Sequence, residues 1–468
     1  MKLDRRITST AAVTLAFVLT VAACSGGGGG GGESSGGDAG TGGEPTGSVT
    51  FWTPHVQPER MAAQQAIADQ FTAETGIEVE VVAMAGADQD QALVTGAASG
   101  NVPDVVLHAP DLSAWQTQGL VDSDAATAVI ESLGADTFNQ QALDFINIDG
   151  AYQAVPADGW VHLIVYRADL LDQAGLSVPT SLDELATAAQ TIHDEQGITG
   201  MAFGTQVGTT SATEAIESTF LQTGCQLVTE GTVTIDSAEC AQAAGDFATL
   251  AASSNAGQFD VTSARATYLN GDAAFLLFST HILDELAGLD ANNPLTCAEC
   301  ADNENFFVEN SGFITVLDES NPSQYGTTLN YVIPEGANTE AATLFVEYML
   351  SDGYSAMLAT APEGRIPLRP GNADNPTEYL DDWGTLGMAG SDQSVGDLYG
   401  DELVASLGEG MNAVSRWGFG TDDAVLAGEA FAQNVLAEQL DALYSGTDPQ
   451  DVVNEMAVQV QALQDDLG

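Results

Sequence analysis

Lysine is almost absent from this chain, and positive charge of any kind is scarce. The 468 residues contain nine Lys and Arg against 67 Asp and Glu, and the formal net charge is -58. Lys2 is the one lysine, and beyond residue 23 the cations are six arginines: Arg60, Arg167, Arg265, Arg365, Arg369 and Arg416. So few cations cannot neutralise a run of phosphates, and we therefore exclude nucleic acid as a partner.

Recognisable catalytic motifs are missing as well. The five histidines are widely separated and form no HExxH motif, and a mature chain without lysine cannot contain a P-loop. The segment GESSG at 32–36 matches a nucleophile-elbow pattern, but no strand precedes it and no helix follows it. We predict no catalytic residues, no metal and no cofactor. Carboxylates for glycoside hydrolysis are abundant but cannot be localised, so a secreted carbohydrate-active hydrolase is an alternative function.

The acidity is extreme, yet charged residues make up only 16% of the chain and apolar residues 44%. Apolar runs recur along the sequence, which favours an acidic surface on a folded body over disorder. Such a surface repels itself at low ionic strength, and salt near 1 M shortens the Debye length to about 3 Å. We therefore expect a halophilic or an alkaline habitat.

The N-terminal segment has the pattern of an export signal. Lys2, Arg5 and Arg6 precede an apolar run at 11–23, which is too short to span a bilayer. The run ends in Val-Ala-Ala-Cys24, which resembles the lipobox of bacterial lipoproteins, in which the cysteine is lipidated and becomes the mature N-terminus. An ordinary cleavage site is the alternative, and export by the Sec or the twin-arginine route stays open.

A segment rich in glycine and serine follows at 25–47, and its composition is typical of a flexible tether. We therefore predict a signal peptide at 1–23 and a lipid-anchored tether at 24–47. This arrangement would hold a folded body at the extracellular face of the cell membrane.

Four cysteines remain beyond the lipobox, an even number in an exported chain, so disulfides are the first hypothesis. We predict the pairs Cys225–Cys240 and Cys297–Cys300. A four-cysteine zinc site would need paired CxxC elements, and only one CxxC is present.

The folded part begins with alternating strands and helices. SVTFW from Ser48 is predicted as a buried strand, and a helix is predicted from Pro58 to Thr75, closed by Gly76. A strand through Ile77, a helix that ends at Gly100 and a strand in VPDVVLH complete a β-α-β-α-β pattern. This order predicts an α/β fold with a parallel sheet and helices on both faces.

A second unit of the same kind begins after residue 150. We predict strands at 152–155 and 161–166, then a helix with a capping box formed by Ser181 and Glu184. The residues from Asp422 to the end are predicted as two helices separated near Asp448 and Pro449.

Five blocks follow one another in a fixed order between Ser48 and the C-terminus. They are FTAETGIEVEVV, ASGNVPDVVLHAPDLSAWQTQGLVD, DGAYQAVPADGWVHLIVYRADLLDQAGLSVPTSLDELATAA, YLNGDAAFLLFSTHILDEL, and NTEAATLFVEYMLSDGYSAM leading to GRIPLRP. Together they make the chain resemble the family-1 extracellular solute-binding proteins, the class that includes maltose-binding protein.

The resemblance implies a two-lobed fold in which each lobe is a mostly parallel sheet flanked by helices, and hinge crossings join the lobes. We expect lobe 1 to comprise 48–157 and about 328–372, and lobe 2 to comprise 158–327 and about 373–468. The implied function is capture of a small solute, most readily a sugar or oligosaccharide, for ABC permease subunits in the membrane. We expect a monomer. A ligand-sensing lipoprotein without a role in transport is an alternative.

Sugars present apolar C–H faces and rows of hydroxyls, so their sites combine aromatic rings with carboxylates or amides. Side chains of these kinds follow the predicted strands. Trp52 and His55 follow the first strand, and His108 and Asp111 follow VPDVV. Asp111 aligns with an acidic binding position of the family that the chain resembles, and an N-cap on the next helix is the alternative.

The two expected crossings carry further candidates. Trp160 and Asp158 lie at the first crossing, where Trp160 is predicted to be a ligand platform; interlobe packing and, for Asp158, a turn are the alternatives. His281 occupies a position that is aromatic and stacks on ligand in maltose-binding protein, and a solvated histidine at a helix start is its alternative. Tyr331 lies near the second crossing, with core packing as the alternative.

The scarce arginines are candidates because so few cations are available. Arg365 is a candidate for holding a carboxylate or phosphate, and Arg416 beside Trp417 for a guanidinium–aromatic pair in the cleft. The alternative is structural ion pairing with the abundant Asp and Glu. Sugar, polyol and sugar phosphate all stay open as the ligand.

Overall fold

The computed structural model describes residues 47–109, 112–148, 150–254, 259–318 and 320–467. The predicted signal peptide, the lipidated Cys24 and the tether up to residue 46 lie outside the described residues. Asp111, a candidate for ligand binding, also lies outside them.

Strands and helices alternate in the first part of the chain, as predicted. They are β1 (Ser48–Thr53), α1 (Pro58–Thr75), β2 (Glu78–Ala83), α2 (Gly86–Ser99), β3 (Val105–His108), α3 (Ser113–Thr117), α4 (Ser123–Leu133), α5 (Gln140–Phe145), β4 (Asn147–Ile148) and β5 (Ala151–Tyr152). Strand β1 pairs in parallel with both β2 and β3. Helix α1 has Pro58 in its first turn and ends at Gly76, whose φ of 77° is the left-handed conformation that favours glycine.

The middle part of the chain begins with the longest strand. Its elements are β6 (Val155–Arg167), α6 (Ala168–Ala174), α7 (Leu182–Gln196), β7 (Thr199–Ala202), α8 (Thr210–Leu221), β8 (Val228–Thr229), β9 (Thr232–Val233), α9 (Ala238–Ala252), α10 (Val261–Leu269), β10 (Ala273–Ser279), α11 (Ile282–Leu286), α12 (Phe306–Asn310) and β11 (Ser311–Ile314). The N-cap of α7 is Ser181, whose Oγ accepts a hydrogen bond from the Glu184 N–H at 3.2 Å.

The capping box predicted there is wrong in its second half. The Glu184 carboxylate accepts hydrogen bonds from the N–H of Thr180 at 2.9 Å and from its hydroxyl at 2.8 Å, and not from the N–H of Ser181. Thr180 offers two donors within reach of one oxygen, whereas the Ser181 N–H is a single donor.

The last part of the chain is mainly helical. It contains β12 (Gly326–Val332), α13 (Thr339–Met349), α14 (Tyr354–Leu358), β13 (Ile366–Pro367), α15 (Glu378–Gly384), α16 (Val395–Tyr399), α17 (Asp401–Gly410), α18 (Ala424–Ala432), α19 (Leu440–Tyr444) and α20 (Pro449–Leu467). Helix α20 begins at Pro449, as predicted. The single helix predicted before it is wrong, because α18 ends at Ala432 and Asn434 has a φ of 55°, which an α-helix cannot accommodate.

Strand β6 belongs to two sheets. The strand order is β2-β1-β3-β12-β6-β10-β7, with β11 and β13 also paired to β6. Residues 155–161 of β6 pair with β12 and β13, and residues 162–167 pair with β10 and β11. The strands β12 and β6 run antiparallel where the chain crosses and returns, whereas β1, β2 and β3 are parallel to one another.

The break predicted between residues 155 and 161 is therefore wrong, since one strand runs through VPADGW. A Cβ atom on Gly159 would lie 2.6 Å from the Thr327 carbonyl oxygen, so the strands approach here as closely as only glycine allows. Asp158 lies in the strand beside Gly159 and is not a turn residue. The residues of this segment that usually form turns are here part of a strand that crosses β12 at short distance.

Two hydrophobic cores cover the sheets. Phe51, Phe71 and Phe345 lie in the first core, with ring centroids 5.2–5.4 Å apart. Beyond the crossing the side chains of β6 alternate, because Leu163 belongs to the first core and Ile164 to the second. The second sheet is thus buried on both faces, which is typical of α/β folds.

The structure contains both predicted cysteine pairs, Cys225–Cys240 and Cys297–Cys300. The first pair lies in the second core, and Cys297 lies in the first core. The four cysteines therefore form two separate crosslinks and no common ligand set. Within the described ranges, no helix combines the length and the apolar character that crossing a bilayer requires.

Candidate functional site

A cavity of about 280 Å³ lies where the two sheets meet. The loop after β3 contributes Ala109, β12 contributes Thr327, and α8 contributes Thr213 and Glu217. The segment after residue 413 and helix α18 supply the remaining walls, which include Arg416, Trp417, Phe419 and Phe431. The loop after β3, the crossing strand β12 and helices of the later chain therefore surround one space.

Trp160 lies on the same face as this cavity. It is the antiparallel partner of Thr327, and directly opposed residues in such a pair project to the same side of the sheet. Its half-buried ring contacts His162, Tyr325 and His281, with centroids 5.6, 6.2 and 6.2 Å away. The structure thus brings together two residues, Trp160 and His281, that the sequence placed far apart in the chain.

The two histidines beside Trp160 are held neutral. Burial, and then the charge of Arg416, lowers the pKa of His162 to about 3. Burial, followed by Arg60 and Arg365, lowers the pKa of His281 to about 4. At neutral pH this wall consists of uncharged rings with hydrogen-bonding nitrogens.

Arg416 is enclosed by aromatic rings and paired with a carboxylate. Its Nε donates a hydrogen bond to Glu217 Oε1 at 2.9 Å, and the guanidinium lies 4.4–5.0 Å from the ring centroids of Tyr325, Phe419 and Phe431. The backbone N–H of Trp417 donates to the same Glu217 oxygen at 2.8 Å. Burial opposes the charge on Arg416, but Glu217, Tyr325 and Glu214 together outweigh it and raise the pKa of Arg416.

The predicted pair between Arg416 and the Trp417 ring does not form. The Trp417 indole N–H donates to the Cys225 carbonyl at 2.9 Å, and the ring packs in the second core, which draws it away from the guanidinium. The alternative of structural ion pairing describes Arg416, through Glu217.

Arg365 is likewise paired. Its Nη1 donates to Asp158 Oδ2 at 2.8 Å, and the two side chains are only 2% and 0% exposed. The Nη2 atom lies 2.9 Å from the ring nitrogens of His55. Burial, and then Arg365, lowers the pKa of His55 to about 2, so this histidine is neutral. Arg365 joins the segment before β13 to the crossing strand and to the loop after β1.

Three other candidates pack against residues of the first core. Tyr331 is fully buried on β12, 6.0 Å from the ring of Phe51. The ring of His108 stacks on Trp115 at 4.3 Å, and its Nδ1 lies 2.8 Å from Gln89 Oε1. Trp52 packs against the first core. None of these three is among the residues that line the cavity.

Several residues of the site were missed by sequence reasoning. Glu214 and Glu217 are spaced three apart on α8, and this pair of acids on a largely buried helix is the pattern that could have revealed them. Burial raises the pKa of Glu214 to about 7, although Arg416 opposes the rise. Phe419 and Phe431 carried no signal, since nothing in the sequence places them around Arg416.

The comparisons with known proteins agree with this geometry. A family model described as bacterial extracellular solute-binding protein matches residues 66–385. The putative ABC transporter periplasmic-binding protein YcjN of Escherichia coli K12 is 27% identical over an alignment of 333 residues, which covers 69% of this chain and 73% of that protein.

Solved structures are similar over nearly the whole chain. The GacH receptor of Streptomyces glaucescens GLA.O, solved unliganded and with acarbose, is 19% identical with a TM-score of 0.64, over 90% of this chain and 99% of the other. The cyclic alpha-maltosyl-1,6-maltose binding protein of Arthrobacter globiformis is 18% identical with a TM-score of 0.66, over 89% and 98%. The chain therefore belongs to the bacterial extracellular solute-binding proteins and has their two-lobed α/β fold.

Proposed function

We propose that this protein is the extracellular receptor of an ABC importer and that it captures an uncharged carbohydrate, a sugar or a polyol, in the cavity beside Trp160. The observation that carries the proposal is a cavity with aromatic walls whose lining arginine, Arg416, is already paired with Glu217, while Arg365, outside the lining, is paired with Asp158. The E. coli relative, named as an ABC transporter periplasmic-binding protein, supports the transport role. The role is binding without turnover.

The pairing of the arginines favours a neutral ligand over a sugar phosphate. A phosphate at Arg416 or Arg365 would enter beside Glu217 or Asp158, the nearly fully buried carboxylate that already neutralises the guanidinium. The phosphate and the carboxylate would then be like charges sharing one cation, which disfavours ionisation of both. Uncharged hydroxyls can instead accept from Arg416 or donate to Glu217 without breaking the pair.

The rings around the cavity suit the apolar faces of a sugar. Phe419 and Phe431 line the cavity, and Trp160 shares the face of its neighbour Thr327. Such rings stack on C–H groups. The carboxylate of Glu217 and the oxygen of Thr213, whose hydroxyl donates to Asn434 Oδ1 at 2.8 Å, can accept hydrogen bonds from ligand hydroxyl groups.

Closure of the lobes accompanies binding in this proposal. We place lobe 1 at 48–157 and about 328–372, and lobe 2 at 158–327 and about 373–468, with β6 and β12 as crossings. A ligand that contacts Ala109 on one side and Glu217 on the other favours the closed form, because it binds that form better. The permease then distinguishes loaded from empty receptor.

We further propose that Cys24 is diacylated and holds the monomeric receptor at the outer face of the membrane through residues 25–47. Two acyl chains are needed because one gives only marginal anchoring. Mass spectrometry of the membrane-bound protein should find Cys24 as the modified N-terminus, and a mature chain that begins elsewhere would contradict the anchor.

The net charge of -58 supports a high-salt habitat. The melting temperature of the mature protein should rise when NaCl is increased from about 0.1 M to 1 M, where the Debye length falls from about 10 Å to 3 Å. A melting temperature that is independent of salt would contradict this part of the proposal.

A thermal-shift panel in high salt tests the ligand class. The panel contains glucose, maltose, maltotriose, D-mannitol and glucose 1-phosphate. A neutral ligand at about 100 times its dissociation constant should add about 2.7 kcal/mol to the free energy of unfolding. We expect one or more neutral compounds to shift the transition and the phosphate ester to leave it unchanged. A shift by glucose 1-phosphate alone would overturn the proposed ligand class.

A further inference from the structure

A second contact joins the two proposed lobes, which form the two halves of the molecule, through residues that do not line the cavity. The turn Pro362–Gly364, just before β13, lies against the start of α11, which follows β10 of the other sheet. A Cβ atom on Gly364 would overlap the His281 imidazole, so the ring rests directly on the backbone of the turn. The Trp383 indole N–H, from the segment after residue 373, also holds this turn by donating to the Pro362 carbonyl at 2.8 Å.

Asp284 lies one turn beyond His281 and is 8% exposed. Among the described residues it belongs to no ion pair, and the carboxylate of Glu363 in the facing turn is 7% exposed with its Oε2 unbonded. The Oε1 of Glu363 is 3.7 Å from Arg60 Nη2, the cation that α1 contributes. Two acids thus meet at this contact, and the cations Arg60 and Arg365 both act on Glu363.

The other titratable groups around Asp284 come from three directions. Glu285 and Asp290, on its own element and in the loop after it, act on it with like charge, as Glu363 does. Tyr399 of α16 and Arg60 of α1 lie close enough to Asp284 for its negative charge to act on them electrostatically. Burial, and then Glu363, raises the pKa of Asp284 to about 8.

We propose that this contact is a closure latch, which forms when Asp284 carries a proton and releases when Asp284 is ionised; the inference rests on the lobe closure proposed above. A protonated Asp284 can be buried against the turn and can donate a hydrogen bond. An ionised Asp284 accepts a hydrogen bond from the backbone N–H of Glu285 on its own helix, but it is paired with no cation in the facing turn and repels Glu363, so the halves separate and both carboxylates regain water.

The direction of the pH effect follows from linkage. In the open form a solvated Asp284 has an ordinary pKa of about 3.9. The closed form holds the pKa at about 8, so the closed form binds more protons between these two values. The closed form has its full stability below the lower pKa and becomes less stable as the pH rises. Above the higher pKa its stability no longer changes with pH. The ratio of closed to open protein falls by up to about tenfold per pH unit in that window.

Glu285 provides a matched control on the same helix. Burial raises its pKa to about 7, but its carboxylate is 3.0 Å from Arg265 of α10, on the same side of the contact. Its partner therefore stays beside it when the halves separate. Glu285→Gln removes a titrating acid of similar pKa, and because Glu285 acts on Asp284 less than Glu363 does, this variant should keep the transition and move its plateau less than Glu363→Gln.

Small-angle X-ray scattering of the ligand-free mature protein tests the latch between pH 5 and pH 9.5 at constant high salt. We expect the radius of gyration of the parent protein to increase with pH and to reach a plateau near pH 8. Glu285→Gln should show the same transition with a plateau at slightly lower pH. Asp284→Asn, which mimics the protonated acid, should stay closed at every pH. Glu363→Gln should reach its plateau at a lower pH than the parent and keep a larger closed fraction there, because it removes one repelling charge from ionised Asp284 and so lowers the upper pKa.

Two results would overturn the latch: a radius of gyration in the parent protein that does not change with pH, or an Asp284→Asn variant that opens like the parent. The proposed function fails separately. If pH opens the protein but glucose, maltose, maltotriose and D-mannitol produce no closure at any pH, the latch stands and the ligand class is wrong. If a sugar closes the protein and pH does not open it, the latch is wrong and the ligand class stands.

Discussion

The ion pair between Glu217 and Arg416 is the part of the site where a single substitution should have the largest effect. One carboxylate oxygen accepts hydrogen bonds from the Arg416 guanidinium at 2.9 Å and from the Trp417 backbone at 2.8 Å. The side chains are 3% and 10% exposed, so water cannot replace the carboxylate without a rearrangement. Glu217→Ala removes both bonds at once and leaves a cation among three aromatic rings.

The magnitude follows from the burial of the pair. Removing one partner of a buried ion pair costs about 3–5 kcal/mol, because the remaining charge is uncompensated. The Trp417 N–H loses its acceptor as well, at a cost of about 1–3 kcal/mol that overlaps with the first. We expect Glu217→Ala to lower the free energy of unfolding by about 3–5 kcal/mol, a large share of the roughly 5–15 kcal/mol of a typical domain. Glu217→Gln keeps an oxygen acceptor and should lose less.

Urea denaturation followed by circular dichroism in high salt measures these losses. Glu195→Ala, an exposed position near the C-terminal end of α7, is the matched control and should change stability by no more than about 0.5 kcal/mol. Adding Arg416→Leu to Glu217→Ala removes the unpaired cation, so the double variant should lose less than the sum of the two single variants, by about 0.5–3 kcal/mol. A Glu217→Ala variant as stable as the Glu195→Ala control would refute the reasoning.

Three other predictions concern the cavity, a disulfide and a helix cap. Trp160→Ala should weaken binding of the sugar or polyol found in the panel by about 0.5–1.5 kcal/mol beyond the lost burial, with an unchanged circular dichroism spectrum; unchanged calorimetric affinity would remove Trp160 from the site. Cys225→Ser with Cys240→Ser opens a loop of 15 residues, so the double variant should lose about 3 kcal/mol in denaturant, and equal stability would contradict a structural role. Asp122→Ala removes the N-cap of α4, whose Oδ1 accepts from the Ala125 N–H at 2.9 Å, and should lower thermal stability by about 1 kcal/mol.

Sequence reasoning succeeded where the chemistry of one residue decides the local backbone. Pro58 fits the first turn of α1, and Gly76 takes the left-handed conformation that ends it, so both bounds of this helix could be predicted. Pro449 starts α20 for the same reason. The β-α-β order of the first part followed from hydrophobic periodicity, which does not depend on distant contacts.

The same reasoning failed where distant residues decide. The sequence VPADG contains three turn-forming residues, yet β6 runs through it because Arg365, 207 positions away, pairs with Asp158. The neighbouring Gly159 allows the close approach of β12. Tertiary contacts therefore override the local preference for a turn.

The candidate site could be predicted in part for the same physical reason. Trp160 and His281 could be identified because their side chains carry rings. Nothing in the sequence indicates that Glu217 pairs with Arg416, which lies 199 positions away. The paired state of Arg416, which favours a neutral ligand, is therefore visible only in the structure.

The strand that belongs to both sheets has a consequence for anyone who divides or recombines this protein. Because residues 155–161 complete one sheet and residues 162–167 complete the other, a cut at the crossing would leave each fragment with half a strand and an unprotected edge. Such edges recruit other chains, so separately produced halves should aggregate, whereas the intact chain should lose both sheets in a single cooperative transition. A chimera that exchanges one lobe with a relative must therefore inherit Val155–Arg167 from a single parent.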